Sequence, residues 1–205
     1  MEDQALTMLK KILTLHGEED IAFTEMAFPE VVEEEGEEEG GKKKKKSSPP
    51  PFLLYKTGSI RVFFAQKNRM IGDREIQEAM SRVSAPVSFF ILYSPPSQSV
   101  VQRIRSFVAQ KQRVYIFHIH QLQFDITTHR MAVPHRILTE DQRRELFAKY
   151  KITNPREQLP WIDSQDAMAK WYGAMPGDVL EITRHSDTGG ASLYWRYCVV
   201  DANLS

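Results

Sequence analysis

The stretch Ala85–Gln121, APVSFFILYSPPSQSVVQRIRSFVAQKQRVYIFHIHQ, decides the fold. Its two ends are short apolar runs, rich in the β-branched and aromatic residues that suit buried strands. Between them Ser99 to Ala109 repeats apolar residues at helical spacing, after a loop that holds two prolines. Strand, helix, strand is the unit of an α/β sheet. Working outward, FLLYK and SIRVFFAQ on the N-terminal side read as further strands, and Arg74 to Val83 as a helix. Ala5, Leu6, Met8, Leu9, Ile12, Leu13 and Leu15 predict an amphipathic helix over 3–16, closed at His16-Gly17. The expected class is α/β, with a first domain over 1–124 and a second, small mixed α/β domain over 125–205.

Between the first helix and the strands lies EEEGEEEGGKKKKKSSPPP, Glu33 to Pro51. Like charges repel, glycines loosen the backbone and no apolar residue anchors a core, so a disordered insertion is expected. Its KKKKKSSPPP end suits a nuclear-import signal or a nucleic-acid tether, and equally a solvated loop whose two blocks partly neutralise each other.

The formal net charge is zero, yet it is unevenly spread. Residues 52–124 hold ten lysines and arginines against three acids, whereas 125–205 hold ten against eleven. An acidic polymer would prefer the former. The first twenty residues carry acids where a secretory signal carries bases, and no run approaches the ~18 apolar residues of a membrane helix. An intracellular protein in a reducing compartment is expected, in line with a single cysteine, Cys198. Set in an apolar strand, that thiol reads as an inert core group.

Beyond residue 125, Thr139-Glu140-Asp141-Gln142 has the capping-box pattern and predicts a helix from about Glu140 to Tyr150. Leu146, Phe147 and Tyr150 would face a core, and Arg143, Arg144 and Lys149 water or a partner. A shorter helix from about Ser164 to Tyr172 should end at Gly173 in a left-handed conformation. Met175-Pro176-Gly177-Asp178 matches a type II turn. It feeds strands at 179–183 and 193–200, joined by Ser186-Asp187-Thr188-Gly189-Gly190.

Chemistry is sparse. No Walker loop, Gly-x-Ser-x-Gly, Gly-x-Gly-x-x-Gly or His-Glu-x-x-His occurs. His118 and His120, two apart on an expected strand, would share a face and form the best metal candidate, although structural histidines fit the apolar setting better. Asp163 and Asp166 near a helix start could act as an acid/base pair, but capping of free amides accounts for them more simply. Lys170 is expected to pair with Asp166 along the helix face. No catalytic residue, metal site or cofactor is therefore assigned.

Val133-Pro134-His135, the segment LTEDQRRELFAKYKI, Gln158-Leu159-Pro160, Asp166 to Gly173, Pro176 to Val179, and Arg184 to Thr188 with Gly190 and Arg196 follow one another in a telling order. In that order and spacing, over about 129–200, the chain resembles the fifth-largest subunit shared by eukaryotic nuclear RNA polymerases and the archaeal counterpart of that subunit. The resemblance implies a noncatalytic subunit. Its C-terminal assembly module would dock on the largest polymerase subunit, with Pro134, His135, Arg136, Trp161, Asp166, Tyr172, Arg184 and Arg196 as interface residues. Its N-terminal half would be a jaw with a nuclease-like α/β fold, with Pro96, Ser97, Gln98, Arg103 and Arg105 close to downstream duplex DNA. It implies a nuclear location, and no membrane or small-molecule partner.

Some positions depart from the family's pattern. His135-Arg136-Ile137 is one residue short of the usual basic run, Trp161 replaces a common base, Ala167 a proline and Ser192 a tyrosine. These changes suggest a divergent paralogue assigned to one polymerase class, with a nucleolar location if that class is RNA polymerase I. Two rival readings are a free-standing DNA-binding transcription adaptor and a metal-dependent nuclease. The latter lacks an Asp-x-Lys or Glu-x-Lys pair within 52–124.

Overall fold

A strand whose side chains are apolar on both faces must be covered on both, and the centre of the molecule is built on that requirement. The computed structural model describes residues 1–19, 21–28, 51–67, 69–83, 85–186 and 190–201. Helix α1 (Glu2–Leu15) is followed by β1 (Thr24–Met26), β2 (Phe52–Thr57), β3 (Ile60–Ala65), α2 (Asp73–Arg82), β4 (Val87–Leu92), α3 (Gln98–Ala109) and β5 (Arg113–His118). The strands form one sheet in the order β1-β2-β3-β4-β5. β3, β4 and β5 run parallel, linked by α2 and α3, whereas β1 and β2 are antiparallel additions. β4 is buried at all of its positions.

Alternation along the strands separates two cores. Val62, Phe64, Phe89, Ile91, Tyr115 and Phe117 face α1, which contributes Ala5, Leu9, Ile12 and Leu13. Phe63, Phe90, Leu92, Val114 and Ile116 face α2 and α3, through Ile76, Ala79, Val100, Ile104 and Val108. Phe63 and Phe90 stack with ring centroids 4.6 Å apart, which locks β3 against β4.

The remainder comprises β6 (His135–Ile137), α4 (Glu140–Tyr150), α5 (Pro155–Gln158), β7 (Trp161–Asp163), α6 (Ala167–Tyr172), β8 (Val179–Ser186) and β9 (Gly190–Val199). Its sheet has the order β6-β8-β9-β7, with β7 parallel to β9. α4 begins with the expected capping box, Thr139 Oγ1 accepting from Gln142 N–H while the Gln142 side chain accepts from Thr139 N–H. α4 covers one face of this sheet through Leu146 and Phe147, beside Val179. α6 and Ala174 cover the other, beside Ile162, Leu180 and Cys198. The class is thus mixed α/β, with two mixed sheets.

Three expectations need correction. Tyr150 is exposed and lies against the Trp195 ring, 5.2 Å away, rather than facing a core. The helix expected from Ser164 begins only at Ala167, because Ser164 N–H is bound to Val199 O, Asp166 N–H turns back to Asp163 O, and Asp166 is the N-cap. β5 ends at His118, and Ile119–Leu122 turns into a 3-10 helix, so His118 and His120 do not alternate along one strand. The charged stretch at 33–51 lies outside the described residues except for Pro51.

Candidate functional site

β5 is an edge strand, and an edge leaves backbone groups that need partners. Here side chains supply them. Gln165 accepts from Ile116 N–H through Oε1 (3.4 Å) and donates through Nε2 to Val114 O (3.2 Å), while Lys170 Nζ donates to Ile116 O at 2.7 Å. A carboxamide offers one acceptor and a donor, as a peptide group does, so Gln165 occupies the place of the next strand. Lys170 does not form the expected pair with Asp166. It is buried, with Nζ 4.5 Å from the Phe117 ring centre, and desolvation pulls its pKa down to about 8 against the opposing pull of Asp166 and Asp163.

The segment carrying Gln165 and Lys170 is held at several points. Asp163 accepts from Arg105 Nη2 at 2.7 Å and from Gln165 N–H at 2.7 Å, and Arg105 also bridges to Asp201. Asp166 Oδ1 accepts from Met168 and Ala169 N–H, capping α6. The two acids therefore have separate structural tasks. Asp166→Ala is expected to cost about 1 kcal/mol in a urea unfolding experiment, and Asp166→Asn much less; equal losses for the two variants would remove the capping role.

Gly173 ends α6 at φ 76°, and a Cβ there would meet the His16 ring at 2.8 Å. Only glycine allows both the turn and that approach. His16 Nε2 lies 3.3 Å from Lys170 O, its ring packs beside Tyr115, and burial lowers its pKa. Tyr115 O–H donates to Gly173 O, and burial pushes that phenol up to about 12. Trp171, 1% exposed, belongs to the same core as α1 and β5.

The residues expected at a subunit interface fall on different surfaces. His135 and Tyr172 stack, with centroids 6.2 Å apart, and Tyr172 is half-buried with its pKa raised by burial. Pro134 is exposed, and its carbonyl accepts from Thr183 N–H. Arg136 lies on the α4 side, paired with Glu181 at 2.6 Å, and the same carboxylate accepts from Trp195 Nε1. Trp161 Nε1 donates to Arg156 O, and the Arg156 guanidinium lies over the Trp161 ring. Arg184 and Arg196 are on the α6 side and share the Tyr194 ring.

Among the residues expected near DNA, Ser97 caps α3 by accepting from Val100 N–H at 3.4 Å, beside Pro96 and exposed Gln98. Arg103 reaches Asp73 at 3.5 Å. Arg105 is turned inward to Asp163 and Asp201. A cleft of about 260 Å³ opens here at the C-terminal ends of the parallel strands, lined by Met70, Ile71, Gly72, Leu92, Ser94, Pro95 and Ser97.

The metal candidate is not assembled. His118 Nε2 lies 3.0 Å from Tyr93 O and its Nδ1 accepts from His120 N–H, so both ring nitrogens are engaged. Among the described residues no group of three or more His, Cys, Asp or Glu is placed to hold a metal ion. Cys198 is fully buried, and burial pushes its thiol up to about 12, which is what an unreactive core thiol requires.

Sequence reasoning misses Gln165, Trp171 and Tyr194. For Tyr194 and Arg196 the period-2 spacing is a usable signal, whereas a glutamine that closes a sheet edge has none.

A family model described as "RNA polymerase Rpb5, C-terminal domain" matches residues 124–198. The DNA-directed RNA polymerase subunit Rpo5 of Thermococcus onnurineus is 47% identical over 79 residues, which are 38% of this chain and 94% of that protein. Its counterpart from Pyrococcus horikoshii is 44% identical over the same shares. The subunit rpabc1 of DNA-directed RNA polymerases I, II and III from Dictyostelium discoideum is 29% identical over 148 residues, 70% of this chain and 73% of that protein. These matches define the class as a subunit of DNA-directed RNA polymerase. Within that class the chain belongs to the Rpb5 family, to which the archaeal Rpo5 subunits correspond.

Proposed function

We propose that the protein is a noncatalytic polymerase subunit that docks on the largest subunit through residues 125–205 and contributes, through residues 1–124, part of a jaw near downstream DNA in the nucleus. The carrying observation is the similarity to the Dictyostelium subunit over 70% of the chain, which extends well beyond the C-terminal family match. Docking falls to Pro134, His135, Arg136, Trp161, Tyr172, Arg184 and Arg196, with Asp166 contributing by holding α6 in place. Aromatic residues and arginines suit this task, since they bury large area and keep directional polar contacts.

For the DNA-facing part, the excess of bases in 52–124 supplies salt-sensitive attraction to phosphates. Pro96, Ser97, Gln98 and Arg103 lie at or near the rim where the parallel strands end, whereas Arg105 serves the junction with Asp163 and Asp201. The departures at Trp161, Ala167 and Ser192 support a paralogue dedicated to one polymerase class.

Purification of the tagged chain from its own cells, with the recovered proteins weighed, tests the subunit and paralogue readings. A stoichiometric polymerase is expected. Recovery of the chain mostly alone would favour the free-standing adaptor, and equal recovery with every nuclear polymerase would remove the dedicated paralogue.

A further inference from the structure

Directly opposed residues of an antiparallel pair share a face. The register sets Arg184 against Ser192, Ile182 against Tyr194 and Leu180 against Arg196, so Arg184, Ser192, Tyr194 and Arg196 line one face. α6 covers the inner part of that face around Leu180 and Cys198. Towards the hairpin tip the face is open, with Arg184 and Ser192 exposed and Tyr194 and Arg196 half-buried. The β6 ladder stops at Ile182 and the β7 ladder begins at Tyr197, so this part of the hairpin has no neighbouring strand among the described residues.

The Tyr194 ring holds both guanidinium groups, that of Arg184 at 5.0 Å and that of Arg196 at 5.7 Å from its centre. Arg196 is further fixed by donating through Nη1 to Trp161 O at 3.2 Å. Arginines 69, 82, 103, 105, 136, 143 and 144 each hold a carboxylate. Arg184 and Arg196 pair with no carboxylate among the described residues, as is true of Arg61, Arg74, Arg113, Arg130 and Arg156, but these two are gathered on one ring. We propose that this Arg184-Tyr194-Arg196 strip recognises an extended, acidic segment of another polymerase subunit, with carboxylates at alternate positions. The inference rests on the docking reading above and specifies the chemistry of its partner.

Alternate side chains of an extended segment point the same way, so two carboxylates at i and i+2 would meet the two guanidinium forks together. Stacking on Tyr194 orders the arginines beforehand, which reduces the entropy lost on binding. A protein segment fits better than nucleic acid. The surrounding residues 125–205 have ten bases against eleven acids and so present no broad positive field, whereas a local carboxylate pair needs none.

The full-length tagged chain tests this in cells, with recovered largest polymerase subunit as the readout. Arg184→Glu, and Arg184→Glu with Arg196→Glu, should lower recovery at least about tenfold while leaving the melting temperature of the single variant near wild type. Tyr194→Phe should retain recovery and Tyr194→Ala lose much of it. A photoreactive benzoylphenylalanine at Ser192 should attach to a polymerase peptide with Asp or Glu at alternate positions. Undiminished recovery of polymerase by the folded Arg184→Glu chain, or attachment to nucleic acid or to a segment without acids, overturns the proposal. Failure of the wild-type chain to recover polymerase overturns the docking reading itself and takes the strip with it.

Discussion

Trp171→Ala is expected to lower the free energy of unfolding by about 3–5 kcal/mol, measured by urea denaturation at neutral pH. The indole is 1% exposed at the end of α6, yet the core it shares is that of α1 and the large sheet, with Leu9, Leu13, Tyr115 and Phe117. Around it the other ties are polar and specific: Gln165 and Lys170 to the β5 edge, Tyr115 to Gly173 O, and Arg105 to Asp163. The ties of Lys170 and Gly173 depend on α6 lying where Trp171 anchors it, and those of Gln165 and Asp163 are made by the segment that leads into it. The truncation removes a large apolar group and leaves a void that the backbone of a rigid sheet cannot close. Limited proteolysis should then cut faster in the connection between β5 and β6. A loss below about 1 kcal/mol would mean that the indole is not a core group at all.

The parts of this arrangement that can be read in the sequence are those with local causes. The apolar runs of β4 and β5 are bounded by turn signals and long enough to identify themselves, and the α4 capping box and Gly173 mark their positions by residue type. β1, β6 and β7 have three residues each, too few to show a period, and they exist because of the strands they pair with. The spacing of His118 and His120 suggests a shared strand face, but the His118 ring accepts from His120 N–H and the chain turns there. Exposure of Tyr150 has a similar origin: Trp195, remote in sequence, offers a ring at the surface. For the interface residues, family order locates them along the chain. Only the strand register separates Arg136, on the α4 side with Glu181, from Arg184 and Arg196 on the other.

Lys170 shows the same competition between local and tertiary partners, and it leads to an expected pH dependence. Spacing offers it Asp166, but among the described residues no other side chain donates to the Ile116 carbonyl on the β5 edge, and an unpaired buried carbonyl costs more than a helix-surface ion pair contributes. Its folded pKa of about 8 lies below the ordinary lysine value of 10.5, so folding favours the neutral amine. That contribution is fully present above about pH 10.5 and is lost as the pH falls towards 8; at neutral pH the buried ammonium costs about 3 kcal/mol. Lys170→Met removes this cost but also the donor to Ile116 O, worth about 1–3 kcal/mol, so at pH 7 the variant should unfold within about 1–2 kcal/mol of wild type. At pH 10 the wild type has recovered most of its penalty and the variant has nothing to recover. The difference between them should therefore move by about 2–3 kcal/mol in favour of wild type between pH 7 and pH 10. Because Tyr115 and Cys198, both pushed up to about 12, are common to the two proteins, their titration cancels in that difference. An unchanged difference between the two pH values would place the Lys170 ammonium in water rather than against Ile116 and Phe117.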